Sequence, residues 1–224
     1  MRGDAGFEAS EVARSVAQKE IDRFRGIQRL RNHWARTDSG LASYYWYLTF
    51  EDCAELHALA RRVRDGMPFT YYDFTPVDGL HMTLDRIAFE TEVSPSQIRE
   101  LASATAEATR KLSPFDINLG GLGGTPGALG FRAFPQDPLQ HLRDVIRATT
   151  LSVHPSAIAK GPEFHPHVAL AYCNSDVPAA EAIAAAERLS TLDAVAVPVQ
   201  HVTLVLLTRR SRTYSWRSIT RIPL

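Results

Sequence analysis

Apolar positions recur along this chain with two different periods. From Phe7 to Trp34 they fall three to five residues apart, at Phe7, Val12, Val16, Ile21, Phe24, Ile27, Leu30 and Trp34, with charged residues between them. That spacing predicts one amphipathic helix over 7–35, ending at the polar stretch Thr37-Asp38-Ser39-Gly40. Its apolar stripe serves either to pack on the rest of the domain or to meet a partner. The aromatic run Tyr44–Phe50 then predicts a strand, and Leu56, Leu59 and Val63 predict a helix over 51–65. A loop follows, from Gly66-Met67-Pro68 through Tyr71-Tyr72-Asp73-Phe74-Thr75-Pro76, leading into a strand over Leu80–Phe89. Ser94-Pro95-Ser96-Gln97 combines an N-cap, a first-turn proline and a capping-box glutamine, opening a helix that carries Ile98, Leu101, Ala104, Ala108 and Leu112.

The second half repeats this order. Phe115–Leu119 and Ala128–Phe134 read as strands around the glycine-rich Gly120-Gly121-Leu122-Gly123-Gly124, which reads as a flexible hairpin connection. Asp137-Pro138-Leu139-Gln140 again offers cap, proline and glutamine ahead of Leu142, Val145 and Ile146. A strand over Phe164–Tyr172 follows, then a helix from Pro178 to about Leu189, then strands over Val195–Leu207 and Thr213–Ile222. Each half reads strand, helix, strand, helix. The expectation is an α+β protein with a duplicated bilobal fold, in which two antiparallel sheet halves flank a central cleft and helices lie outside. Residues 1–40 are expected to form an N-terminal helical extension to a domain over 41–224.

Bulk properties narrow the function. At 224 residues, 45% hydrophobic and 22% charged, the chain has an ordinary globular composition. Its formal net charge is zero, which gives no overall attraction to nucleic acid, so any such role rests on a local site. Two cysteines, Cys53 and Cys173, are too few for a disulfide framework, and neither sits in an acyl-transfer signature. The start lacks the apolar stretch of a signal peptide and no uncharged run is long enough to span a bilayer, so a cytoplasmic location without membrane association is expected. No metal-ligand spacing and no cofactor motif is present. The glycine-rich stretch lacks the Lys-Ser/Thr ending of a phosphate-binding loop.

The chemistry lies in two short apolar strands, His81-Met82-Thr83-Leu84 and His167-Val168-Ala169-Leu170. On a strand, residues i and i+2 share a face, so each presents an imidazole beside a small side chain. A third match, His201-Val202-Thr203-Leu204, has no counterpart in the first half, whereas His81 and His167 occupy corresponding places in the two halves. Two imidazoles meeting on one phosphate supply a base and an acid near neutral pH.

With their flanks, Gly79-Leu80-His81-Met82-Thr83-Leu84 and Phe164-His165-Pro166-His167-Val168-Ala169-Leu170-Ala171 resemble the two motifs of the two-histidine phosphoesterase superfamily, which includes 2'-5' RNA ligase-like proteins and cyclic phosphodiesterases. The resemblance implies metal-independent hydrolysis of a 2',3'-cyclic nucleotide or RNA-end phosphoester. His81 and His167 would be the acid–base pair, in either assignment, and Thr83 a phosphate ligand. The second motif departs from the family pattern at Ala169, where a Thr or Ser is expected. Losing one hydrogen bond to a charged phosphate costs roughly 1.5–3 kcal/mol. An arginine or a backbone N–H is a ready replacement, and a catalytically weakened nucleotide- or RNA-binding module is the alternative.

Further substrate contacts are expected from His165, at the rim, and from Tyr71 and Tyr72 (with Phe74) by stacking on a base. Packing beneath the loop is the competing role for the aromatic residues. The terminal Arg209, Arg210, Arg212, Arg217 and Arg221 form either a phosphate-attracting patch or a solvated face.

Overall fold

The computed structural model describes residues 4–35, 40–157 and 163–224. Its elements run α1 (Asp4–Arg25), β1 (Ser43–Thr49), α2 (Ala54–Gly66), β2 (Tyr72–Phe74), β3 (His81–Phe89), α3 (Pro95–Thr109), β4 (Phe115–Thr125), β5 (Ala128–Phe134), α4 (Asp137–Val153), β6 (His167–Cys173), α5 (Ala180–Leu189), β7 (Val195–Val199), β8 (His201–Arg210) and β9 (Thr213–Pro223). The strands form two antiparallel sheets, ordered β3-β1-β8-β9 and β2-β6-β5-β4-β7. One histidine strand lies in each sheet, and β3 and β6 approach one another. This is the bilobal α+β layout expected from the sequence.

Alternation along the strands sorts residues to two faces. In the first sheet Trp46, Leu48, Met82, Leu84, Val202 and Leu204 are buried, and α3 and α4 pack against that sheet. The fully buried Trp46 indole donates Nε1–H to Thr150 Oγ1 of α4 at 3.1 Å. Beside it, Arg147 of α4 reaches the buried Asp85 of β3 at 3.3 Å. In the second sheet Ile117, Leu119, Phe131, Val168 and Ala171 are buried. Ser94 caps α3 as the sequence predicts: its Oγ accepts from the Gln97 amide at 3.3 Å while Gln97 Oε1 accepts from the Ser94 amide at 2.9 Å.

Four expectations need correction. The first helix ends at Arg25, not near residue 35. After Gly26 the chain is extended and pairs with the segment ahead of α5, the Leu30 amide donating to the Val177 carbonyl at 2.8 Å. Ile27, Leu30 and Trp34 kept a helical spacing, but Leu30 and Trp34 are buried from an extended segment and a 3-10 turn, His33–Ala35. The expected stop at Thr37-Asp38-Ser39 lies outside the described residues, as does the side chain of Phe7. Second, the glycine-rich stretch is strand, inside β4, not a hairpin connection. Its glycines admit close neighbours: a Cβ at Gly124 would fall within 3.0 Å of three atoms of the Phe24 ring, and one at Gly123 would lie 2.9 Å from Glu20 Cβ. Third, Val195–Leu207 is two strands in different sheets, broken at Gln200, with Pro198 in the edge strand β7. Fourth, Gln136, not Asp137, is the N-cap of α4. Its side chain makes no cap and donates instead to the Phe164 carbonyl at 2.9 Å.

The C-terminal part of the α1 stripe faces its own chain, whereas Val12 is exposed. Ile21 and Phe24 are buried in the common core, and α1 runs along β4. No described helix is long and apolar enough to cross a membrane.

Candidate active site

His81 and His167 each open a strand, and each is held in the same way. Nδ1 of His81 lies 3.0 Å from the Gly79 carbonyl oxygen, and Nδ1 of His167 lies 2.8 Å from the His165 carbonyl oxygen. A carbonyl only accepts, so Nδ1 carries the proton in both rings, and each neutral imidazole keeps its lone pair on Nε2. The turn Val77–Gly79 presents the first carbonyl. Just after the second, the Pro166 carbonyl is fixed by the Ala133 amide at 3.0 Å.

The surroundings of the two rings differ. His81 is buried, stacked on Tyr47 at 4.2 Å between centroids and met edge-on by Trp216 at 4.7 Å. Burial lowers its pKa to about 4, against the opposing effect of the Gly79 hydrogen bond, and the charge of His167 lowers it further. His81 is therefore neutral near pH 7, and His167 is near enough for its charge to act on the ionisation of His81. His167 is exposed. Burial lowers the pKa of His201, the third sequence match, and its charged neighbours are Arg221, Glu51 and Asp52.

Thr83 shares the His81 face of β3. It stands opposite Tyr47 of β1 in register. Tyr47 thus stacks on the imidazole of the first motif and faces its threonine across the strand pair. Burial raises its own pKa well above the ordinary tyrosine value, so it stays protonated. Ala169 pairs with Gly130 across β5, where a Cβ would sit 2.5 Å from the Val168 carbonyl oxygen. Ala169 is buried but lines a cavity beside His167.

Two cavities open beside the two histidines. One, of about 550 Å³, is lined by His81, Trp34, Tyr72, Phe74, Tyr172, Tyr214 and Trp216, with Asp73 and Arg212 also present. The other, of about 500 Å³, is lined by His167, His165 and Ala169, by Arg132 and the glycines of β4 and β5, and by Glu20 and Arg23 of α1. The aromatic wall of the first suits a planar base. Among the described residues no three His, Cys, Asp or Glu side chains are grouped to hold a metal ion.

The structure brings His81, His167 and His165 to the walls of these cavities, and Thr83 lines neither. Tyr72 and Phe74 line the His81 cavity. Tyr71 lines neither, being stacked on Phe69 at 4.9 Å between centroids. His165 lies at the exposed rim of the His167 cavity, 3.8 Å from Glu163. The terminal arginines are partly tied down: Arg209 donates to the Trp34 carbonyl at 2.7 Å, and Arg212 and Arg221 reach Asp73 and Glu51 at 3.4 and 3.5 Å. Cys53 and Cys173 are free thiols whose pKa burial raises.

Tyr47, Trp216, Arg132 and Trp34 were not singled out for the site by sequence reasoning. The first three come to the histidines through strand pairing across long sequence separations, for which no local signal exists. Trp34 was visible only as an apolar position of a helix that stops earlier. Its indole donates to Asp73 at 2.9 Å and lies against Tyr172 and Tyr214.

Comparison with known proteins agrees with this architecture. The family model of the 2'-5' RNA ligase superfamily matches residues 69–210. Among solved structures, TT0787 of Thermus thermophilus is similar over 81% of this chain and 97% of its own, with TM-score 0.64 and 18% identity. E. coli LigT complexed with 3'-AMP is similar over 82% of this chain and 98% of its own, with TM-score 0.63 and 16% identity. The MHV ns2 PDE domain is similar over 74% of this chain and 98% of its own, with TM-score 0.53 and 10% identity. A search of curated proteins finds no match.

Proposed function

This chain belongs to the 2'-5' RNA ligase superfamily, and on that footing we propose that it hydrolyses a 2',3'-cyclic nucleotide or an RNA-end phosphodiester without a metal, with His81 and His167 as base and acid. One observation carries the reading: both imidazoles are anchored at Nδ1 by the carbonyl two residues earlier and keep Nε2 free, and the charge of His167 reaches His81. His81, neutral because it is buried, is the base in the hydrolytic direction. Its Nε2 takes a proton from water as the water oxygen bonds to phosphorus. The bond from phosphorus to one ribose oxygen breaks, and protonated His167 gives its Nε2 proton to that oxygen. Thr83, opposite Tyr47 across the strand pair, donates its hydroxyl to a non-bridging oxygen and stabilises the charge that builds there. The aromatic cavity holding Tyr72 takes the base, and His165 stands at the rim. That E. coli LigT was solved with 3'-AMP, ATP and NADP+ accords with a nucleotide ligand here.

Ala169 favours one second reading, a nucleotide- or RNA-binding module that turns over slowly. A single assay separates the two. Full-length protein is incubated with 2',3'-cyclic AMP in EDTA, beside His81→Ala and His167→Ala. Turnover that each substitution lowers about a thousandfold is expected, within the usual range for a lost acid or base. A rate that survives either substitution, or disappears in EDTA, contradicts the proposal. Nucleotide binding with no turnover by the unaltered protein supports the module instead.

A further inference from the structure

The second motif lacks a hydroxyl at Ala169, yet a cation stands beside it. Arg132 of β5 is the cross-strand partner of His167, so both side chains project from the same face of the second sheet. Arg132 lines the same cavity as His167 and Ala169. Its Nε donates to Glu20 Oε1 of α1 at 3.0 Å, and that oxygen also accepts from Arg23 at 2.7 Å. The Arg132 and Glu20 side chains are only 16% and 15% exposed. Among the described residues, no hydrogen bond is made by the two terminal nitrogens of Arg132. Two arginines around one carboxylate leave a net positive charge, and the guanidinium fork that remains fits two oxygens of one phosphate.

We propose that Arg132, held by Glu20 of the N-terminal helix, is the anion-binding side chain of the second half and takes the place of the hydroxyl missing at Ala169. Arg132 touches the non-bridging oxygens. Glu20 is a positioning residue: it fixes the Nε edge so that the remaining fork faces the cavity. On this account residues 10–35 are part of the site, since α1 supplies Glu20 to one cavity and the segment after it supplies Trp34 to the other. Arginine serves here because lysine, a single point charge, cannot bond Glu20 and two phosphate oxygens at once.

The assignment rests on the phosphodiester reading for its rate measurements, and phosphate binding tests it independently. Arg132→Gln, Arg132→Lys, Ala169→Ser and the double variant Arg132→Gln/Ala169→Ser are compared with the unaltered protein. The measurements are kcat on 2',3'-cyclic AMP and affinity for inorganic phosphate, with circular dichroism establishing that each variant folds. Arg132→Gln lowers kcat about ten- to a hundredfold, the range for a lost hydrogen bond to a charged group. It weakens phosphate at least tenfold, and Arg132→Lys falls between. Ala169→Ser restores about tenfold in the Arg132→Gln background and gains clearly less in the unaltered protein. Glu20→Ala slows turnover about three- to tenfold although it makes the cavity more positive. If the unaltered protein turns nothing over but Arg132→Gln still loses phosphate, the catalytic reading falls and the Arg132 assignment stands. A folded Arg132→Gln with unchanged phosphate affinity overturns the assignment, as does equal gain from Ala169→Ser in both backgrounds.

Discussion

The two halves of the molecule present the same imidazole in unlike settings. In both, a strand-opening histidine gives its Nδ1–H to the carbonyl two residues back. In the first half the ring lies buried between Tyr47 and Trp216, and the motif hydroxyl is present. In the second the ring is exposed, the hydroxyl is absent, and the polar group across the strand is an arginine tied to a helix from outside the repeated unit. The contrast teaches that ring orientation and ring ionisation are set separately. A local turn fixes the first, and burial by distant strands fixes the second.

The largest expected effect breaks the comparison at His81. Its pKa is about 4 in the folded chain and about 6.5 when unfolded. Above pH 6.5 both states are neutral and the ring is indifferent to pH. As pH falls from 6.5 towards 4 the unfolded chain takes a proton that the folded chain refuses, so stability declines by about 3 kcal/mol, and by no more once pH is below 4. Denaturant unfolding at pH 7 and pH 4 should show His81→Asn losing less stability than the unaltered protein by roughly that amount. An equal loss in both would mean that the ring is not sequestered.

A smaller effect sharpens the second half. Gly124→Ala puts a methyl into the buried Phe24 ring and should cost about 2 kcal/mol of stability, as overpacking does. Because it loosens the helix that carries Glu20, turnover should fall with it. Unchanged thermal stability would show that α1 rests on β4 more loosely than this packing requires.

Much of this was legible in the chain. His81 and His167 announce themselves because the strand period puts each beside its i+2 neighbour, and Ser94 to Gln97 writes its own cap. What stayed hidden depends on partners remote in sequence. Gly120–Gly124 looks like a loop until Phe24 and Glu20 occupy the space that side chains would fill. Leu30 and Trp34 keep a helical spacing, but Leu30 is buried by pairing with the segment ahead of α5 and Trp34 against Tyr172 and Tyr214. Arg132 acquires meaning only from a register that sets it opposite His167, and Tyr47 only from one that sets it opposite Thr83. Composition carried none of these pairings.

The convergence of both rings on one anion is tested most directly by a crystal structure of the full chain with inorganic phosphate. The account predicts a single phosphate between the two strands, with Nε2 of His81 and Nε2 of His167 each about 3 Å from one of its oxygens. A phosphate bound to one histidine alone, or held elsewhere with the two Nε2 atoms turned apart, would contradict it.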